Sequence, residues 1–505
     1  MIARTYTATT HGLEPVKIEV EVDSNRGTPT LVLIGLATKA VEESKERITS
    51  ALINCGIRIR SRRTIVNLAP ADIRKSSPTF ELAIAIGMLK MYKEININTD
   101  DTIFFGELSL SGELKSIRGA LPLVIAARQM GFKKVILPAA NKKEVAIISG
   151  ITIYPIKHLQ DYLIFSKGGK PLVKLANKKF KPNHLIGDST DFKDIYGQEN
   201  VKRALTISAA GGHNVLLIGP PGAGKSLLAK AISSILPPLT EQEAIEVTTI
   251  YSISHNKITD LISCRPFRAP HHTTSYVGLI GGGRYLKPGE ISLAHRGILF
   301  LDEFTEFDRH SLETLRQPLE DRTITIIRAR GSVTYPAAFS LIVAANPCQC
   351  GWQGSLQKIC RCSKFDLNRY QKKFSGPILD RIDLFVRVKP VNLKKISDFT
   401  SNNQSSSAQI RNQVSLARNI QIEYLAKINC TTNSELTAKQ VQQKLKLSPA
   451  ATQLLMKASI NLNLTARGYF RLIKVAQTIA NLNQKTRISK LHLAEALQYR
   501  QDNLF

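Results

Sequence analysis

The sequence predicts an α/β protein built around a phosphate-binding-loop (P-loop) core, with a separate α/β domain before it and a helical domain after it. Three observations carry that expectation. The run GPPGAGKS sits between the apolar segment NVLLI and the helical pattern LLAKAIS, so a buried strand passes into a helix through a glycine-rich loop. A second apolar run, GILFLDEF, delivers Asp302 and Glu303 where a strand should end. Upstream, strand-like segments (KIEVEV, TPTLVLIG, RTIVNLA, KKVILP) alternate with helical ones such as AVEESKERITSALINCG and TFELAIAIGMLKMY, the rhythm of an α/β domain of its own.

Taken in order, residues 1–165 form that first domain. The polar, lysine-rich stretch SKGGKPLVKLANKKFKPNH then breaks the pattern, and residues 166–187 read as a basic linker. Residues 188–390 carry the nucleotide chemistry. DFTSNNQSSSAQ marks a junction, and residues 410–505 are helical in pattern, as in SPAATQLLMKASINL and GYFRLIKVAQTIANL. The 505 residues, 43% hydrophobic, are enough for two to four domains with real cores. There is no apolar stretch of membrane-spanning length and no h-region at the start, so neither a membrane partner nor secretion is expected, and a cytoplasmic location follows. With 69 Lys and Arg against 40 Asp and Glu, the formal charge is +29. The excess is spread along the chain; it favours a polyanionic partner, nucleic acid first, over merely solvated lysine faces.

The loop chemistry follows from spacing. Gly219, Gly224, Lys225 and Ser226 fill the G-x-x-x-x-G-K-[ST] pattern. With Pro220, Pro221, Gly222, Ala223 and Leu227 they form the expected nucleotide-binding segment. Glycines let backbone N–H groups turn inward on a phosphate at a helix N-terminus that already favours anions. Lys225 is placed for the β/γ oxygens and Ser226 for Mg²⁺. Asp302, at the carboxyl end of its strand, is placed to hold the Mg²⁺ shell, and Glu303 to orient or deprotonate water. Acidic residues also cap helices after strands; their distance from the loop favours the nucleotide role. Asn346 ends a third apolar run, AFSLIVAAN. A terminal Asn is commonly a turn residue, and only its company promotes it to a water-orienting one.

These residues, together with DFKDIYGQENVKRAL, RPFRAPHHTTSYVGLIGGG, SLIVAANPCQCG, SGPILDRIDL and LTARGYFRLIKVAQTIANL, resemble the ComM/YifB type of magnesium-chelatase-like AAA+ proteins over nearly the whole chain. The resemblance implies an AAA+ core with a helical lid, hydrolysing ATP in a homo-hexameric ring. Lys225, Ser226, Asp302, Glu303 and Asn346 would be its P-loop, Walker B and sensor 1 residues. Arg467 matches the sensor 2 arginine, expected on the γ-phosphate in cis. Arg381 matches the arginine finger, expected on the neighbour's ATP; the alternative for Arg381 is a salt bridge to Asp380 or Asp383. RTITIIRARGSVTYPA reads as a hairpin with Arg328 and Arg330 near its tip. In this branch such a hairpin faces the pore, where basic residues suit a phosphate backbone. An exposed hairpin with solvated arginines is the plainer reading. The resemblance implies a helicase on single-stranded or branched DNA, driving branch migration during natural transformation. The alternative is a magnesium-chelatase-like or MoxR-like ATPase that remodels a protein complex.

Three further features need a reading. Cys348, Cys350, Cys360 and Cys362 form C-x-C-x₉-C-x-C, which suits a structural Zn²⁺ more than disulfides, or else a cluster of reduced thiols. His271 and His272 are adjacent, and neighbouring side chains point apart on a strand, so a structural or DNA-contacting role is preferred to a metal or catalytic one. The stretch FFGELSLSGELKSIRGALPLVIAARQMGFKKVILPAANKKE resembles a Lon-protease-like domain. Where that family has its Ser in G-P-S-A-G this chain has SSPTF, and ALPLV stands where its Lys is expected, so the domain reads as a non-proteolytic scaffold.

Overall fold

The computed structural model describes residues 2–500 except 29, 36–38, 60–61, 72–77, 184–189, 255–259, 284–285, 329–330, 355–357, 375, 391–404 and 429. It divides into two compact units, one of residues 1–181 with 244–262 and the other of residues 182–243 with 263–505. Residues 244–262, which the sequence places inside the nucleotide core, thus group with the first unit.

The first unit is built on a seven-stranded mixed sheet in the order β3–β4–β2–β1–β5–β8–β9. The strands are β1 (Ala3–His11), β2 (Glu14–Arg26), β3 (Thr30–Ile34), β4 (Arg62–Ala69), β5 (Thr102–Phe104), β8 (Lys134–Pro138) and β9 (Thr152–Ile156). The short β6 (Glu107–Leu108) and β7 (Leu114–Lys115) pair apart from it. In β2 buried and half-buried positions alternate from Ile18 to Ser24, the period-two signature of a strand with one face on a core. The helix Glu81–Met91 is apolar almost all round and is buried from Glu81 to Leu89. The expected strands and helices are therefore present. Ser76 and Ser77 lie outside the described residues. The ALPLV segment starts the helix Ala120–Gln129, where Ala120, Leu121, Pro122, Leu123 and Val124 are all buried.

The second unit holds a five-stranded parallel sheet in the order β11–β14–β17–β10–β18. Its strands are β10 (Val215–Ile218), β11 (Phe267–Arg268), β14 (Ile298–Leu301), β17 (Ser340–Ala345) and β18 (Leu384–Arg387). All four residues of β10 and of β14 are buried, as expected of parallel strands covered on both faces. Two antiparallel pairs stand outside this sheet: β12 (Gly281–Gly282) with β13 (Lys287–Pro288), and β15 (Thr323–Arg328) with β16 (Gly331–Pro336). Beyond the sheet come the helices Ser407–Leu425, Ala438–Lys444, Pro449–Asn461, Ala466–Leu482 and Lys490–Leu497. Val414, Ala417, Val475, Ala476 and Ile479 join the same buried cluster as Ala204, Leu205 and the strands, so helical part and sheet share one core. No described helix is long and apolar enough to cross a membrane.

Candidate nucleotide site and arginine cluster

The P-loop begins where β10 ends and closes on the helix Lys225–Ala231. At Gly219 a Cβ would come within 2.4 Å of the Val388 carbonyl oxygen. Gly222 and Gly224 have φ of 76° and 84°, where side chains are strained. Backbone geometry therefore requires glycine at these places. Lys225 Nζ donates to the carbonyls of Gly219 (2.7 Å) and Pro220 (3.0 Å) and to Asn346 Oδ1 (3.0 Å). Burial lowers the pKa of its ammonium, opposed by the charges of Asp302 and Glu303.

Residues 221–227 line a cavity of about 620 Å³ together with Asp302, Glu303, Thr305, Asn346, Cys348, Gln349 and Tyr370. Gly219 and Pro220 are buried behind it. Asp302 follows β14 directly: its Oδ2 accepts from Ser226 Oγ at 2.5 Å and its Oδ1 from the Glu303 N–H at 3.0 Å. A hydroxyl and a carboxylate brought together in this way are the oxygen donors a hard cation takes. Glu303 has φ 51° and ψ 45°, and its Oε2 lies 3.4 Å from His272 Nδ1. Asn346 follows β17, and its carbonyl accepts from Tyr370 Oη at 3.0 Å. The sequence reading missed Tyr370, which sits 24 residues further along with no local pattern to mark it.

Arg381 and Arg467 are placed elsewhere. Glu320 Oε1 accepts from Arg381 at 2.5 Å and from Arg467 at 2.8 Å, within a cavity of about 320 Å³ that also includes Asn214, Asp380, Asp383, Arg471 and Lys474. Asn214 and Asp383 immediately precede β10 and β18, so this cluster occupies the edge where strands begin. The P-loop occupies the edge where they end. Arg467 therefore does not line its own chain's nucleotide cavity, in contrast to the cis placement expected of it. The cause is packing: the helix Ala466–Leu482, capped by Thr465 Oγ1 on the Gly468 N–H at 3.1 Å, is fastened to the sheet's lower edge by Thr478 against His213 at 2.8 Å. Arg381 pairs with Glu320, and not with the Asp380 or Asp383 that the sequence suggested. Its side chain is only 11% exposed.

The β15–β16 hairpin forms as the sequence suggested, with Arg328 opposite Gly331 and exposed. Arg330 lies outside the described residues. The four cysteines converge, every sulfur within 4.8 Å of the others. The Sγ separations are 3.3 Å for Cys348–Cys350, 3.7 Å for Cys348–Cys360 and 3.5 Å for Cys350–Cys360. A tetrahedral Zn²⁺ with bonds of about 2.3 Å has sulfurs about 3.8 Å apart, so the donors fit that ion. Cys348 also walls the nucleotide cavity.

A parallel sheet with a P-loop after β10, an acidic pair after β14 and a polar residue after β17 is the core of an AAA+ ATPase, a class that implies ATP and Mg²⁺. Comparison with known proteins gives the family. Models described as magnesium chelatase subunit ChlI match residues 20–141 and 191–396, and one for the ChlI C-terminal part matches 404–500. The chain is 39% identical to competence protein ComM of Haemophilus influenzae, covering 99% of this chain and 97% of the relative. It is 38% identical to YifB of Escherichia coli, covering 98% and 96%. DNA replication licensing factor mcm5 of Dictyostelium discoideum is 24% identical over 47% of this chain and 29% of its own length. The chain belongs to the ComM/YifB family of magnesium-chelatase-like AAA+ proteins.

Proposed function

We propose that the chain is an ATP-driven homo-hexameric ring that moves on DNA, a helicase promoting branch migration during natural transformation. The observation that carries this reading is the β15–β16 hairpin, inserted between β14 and β17 and presenting an exposed Arg328. A formal charge of +29 agrees with it, as do the competence and replication-licensing names of two relatives. Lys225 exchanges the Gly219 and Pro220 carbonyls for phosphate oxygens of ATP. Ser226 and Asp302 would hold Mg²⁺, which when bound offsets charge on the phosphates. Glu303 orients water for attack, and Asn346, braced by Tyr370, fixes the far side of the cavity. Arg381 and Arg467 serve a neighbouring subunit's ATP, because they share one cluster remote from their own P-loop. Cys348, Cys350, Cys360 and Cys362 would hold a structural Zn²⁺ against the cavity wall.

A second reading rests on Ile327, which is 70% exposed beside Arg328. An apolar side chain there suits a ring that grips a protein client, as a magnesium-chelatase-like or MoxR-like remodelling ATPase would. ATPase activity with and without single-stranded and branched DNA separates the two. Stimulation by DNA is expected; its absence with every DNA form moves the assignment to remodelling.

A further inference from the structure

The surplus charge of residues 1–181 is gathered in one stretch. Residues 1–114 hold 14 Lys and Arg against 14 Asp and Glu, whereas residues 115–181 hold 14 against two, Glu144 and Asp161. Both of those carboxylates are occupied within the fold: Glu144 accepts from the Leu121 N–H at 3.1 Å, and Asp161 from the His158 N–H at 3.0 Å. Four of the 14 cations are matched by carboxylates, Lys115 by Glu113, Lys134 by Asp101, Lys143 by Asp260 and Lys167 by Glu94, and among the described residues the other ten have no such partner. We propose that this part of the first unit is a docking surface for the phosphate backbone of duplex DNA, centred on Arg128, Lys133 and Lys174. The choice of DNA as the polyanion rests on the motor reading above.

The fold brings these three cations to one place. Arg128 lies in the last turn of the helix Ala120–Gln129, and Lys133 directly precedes β8. Lys174 comes from the lysine-rich stretch that the sequence reads as a linker, and here that stretch is bound to the domain. The Leu175 N–H donates to the Ile153 carbonyl on β9 at 2.8 Å and the Lys178 N–H to the Ala146 carbonyl at 2.9 Å, while Leu172, Leu175 and Phe180 pack on the apolar clusters of the unit. Its lysines are left in solvent. Arg128, Lys133, Lys174 and Asn177, all exposed, share an open cavity of about 490 Å³, with the Arg128 guanidinium anchored on the Ser149 carbonyl at 3.1 Å. Holding like charges around one hollow costs Coulomb energy that a bound polyanion offsets. The aromatic content of the wall selects the form of DNA. A single strand is gripped by rings on which its bases stack, whereas Phe132 on this wall is buried, its ring 5.5 Å from that of Tyr6. Cations without an exposed ring suit the backbone of a duplex.

The test titrates a blunt duplex and a single strand of matching length with the full chain, without nucleotide and over a range of salt. The proteins are the parent, Lys133→Gln with Lys174→Gln, and Lys133→Glu with Lys174→Glu. In the glutamine pair the duplex salt slope becomes shallower by about 1.8, at about 0.9 for each lost phosphate contact, and duplex affinity at about 0.1 M salt falls about tenfold or more. The glutamate pair lowers it further. Single-strand affinity stays as in the parent, and so do kcat and KM for ATP without DNA, which also report that the fold survives. Parent-like duplex affinity in both variants, or an equal fall for duplex and single strand, overturns the proposal. Binding of the parent to phosphatidylglycerol vesicles that the variants lose, with duplex affinity unchanged, overturns it in favour of a membrane surface. If DNA does not stimulate the parent's ATPase, the motor reading fails, and the nucleotide-free duplex titration still decides the docking surface.

Discussion

At the scale of single residues, the two carboxylates after β14 have been given different work by their contacts. Asp302 is committed to Ser226 and to the backbone, while the Glu303 carboxylate lies 3.4 Å from the His272 ring and adds its charge to that of Asp302 beside Lys225. In the proposed reading, replacing Glu303 by Gln removes the group that orients or deprotonates water but leaves the loop and the Ser226 and Asp302 oxygens intact. ATP binding by Glu303→Gln should match the parent, with turnover lower by about 10²- to 10⁴-fold; nucleotide titration beside a steady-state ATPase assay checks both. Glu320 is the other informative residue. One carboxylate oxygen joins two guanidiniums, which offsets the repulsion of bringing Arg381 and Arg467 together.

At the scale of elements, the hairpin and the cysteine knuckle each make a claim that one measurement reaches. If Arg328 grips a phosphate backbone, Arg328→Ala weakens DNA binding with little dependence on base sequence. The slope of log affinity against log salt becomes shallower by about 0.7 to 0.9 for the lost contact. ATPase without DNA survives, since Arg328 does not line the nucleotide cavity. A parent-like affinity and salt slope would place the DNA contact elsewhere on this basic chain. The knuckle predicts about one zinc per chain by elemental analysis of purified protein. Chelation should lower the melting temperature, because the four sulfurs close a loop against the cavity wall. Fully folded, metal-free native protein would refute the site.

At the scale of the whole molecule, the separation of the two arginines from their own P-loop turns the ring into a testable expectation. A Lys225→Ala chain retains Arg381 and Arg467 but cannot use its own ATP. A chain with Arg381→Ala and Arg467→Ala retains the P-loop. Each alone should be nearly inactive, an arginine supplied to another subunit's nucleotide being worth about 10³ to 10⁵ in rate. Mixed, they should recover activity, because some junctions then pair an intact loop with intact arginines. If mixing leaves activity at the sum of the separate values, the arginines act within their own chain.

What could be read along the chain is what is encoded within a few residues of itself. The P-loop follows from glycine spacing between an apolar run and a helical one. β10, β14 and β17 follow from short apolar runs bounded by polar and glycine residues, as strands of a doubly covered parallel sheet read. The β15–β16 hairpin follows from two strand-like runs around a glycine. Tertiary packing alone decided the rest. Tyr370 supports Asn346, His272 meets Glu303, and Glu320 gathers Arg381 with Arg467, all through side chains that no short-range pattern relates. The histidine doublet is the clearest instance: alternation predicted that the two side chains point apart, whereas their rings pack at 4.1 Å because residues 271–273 form a turn and not a strand, and no local rule foresees Glu303 approaching His272 from beyond β14. The placement of Arg467 was likewise out of reach, because it depends on how the helix Ala466–Leu482 seats against the sheet. That seating is set by contacts such as Thr478 with His213, and burial of surfaces distant in sequence, not any local propensity, determines it.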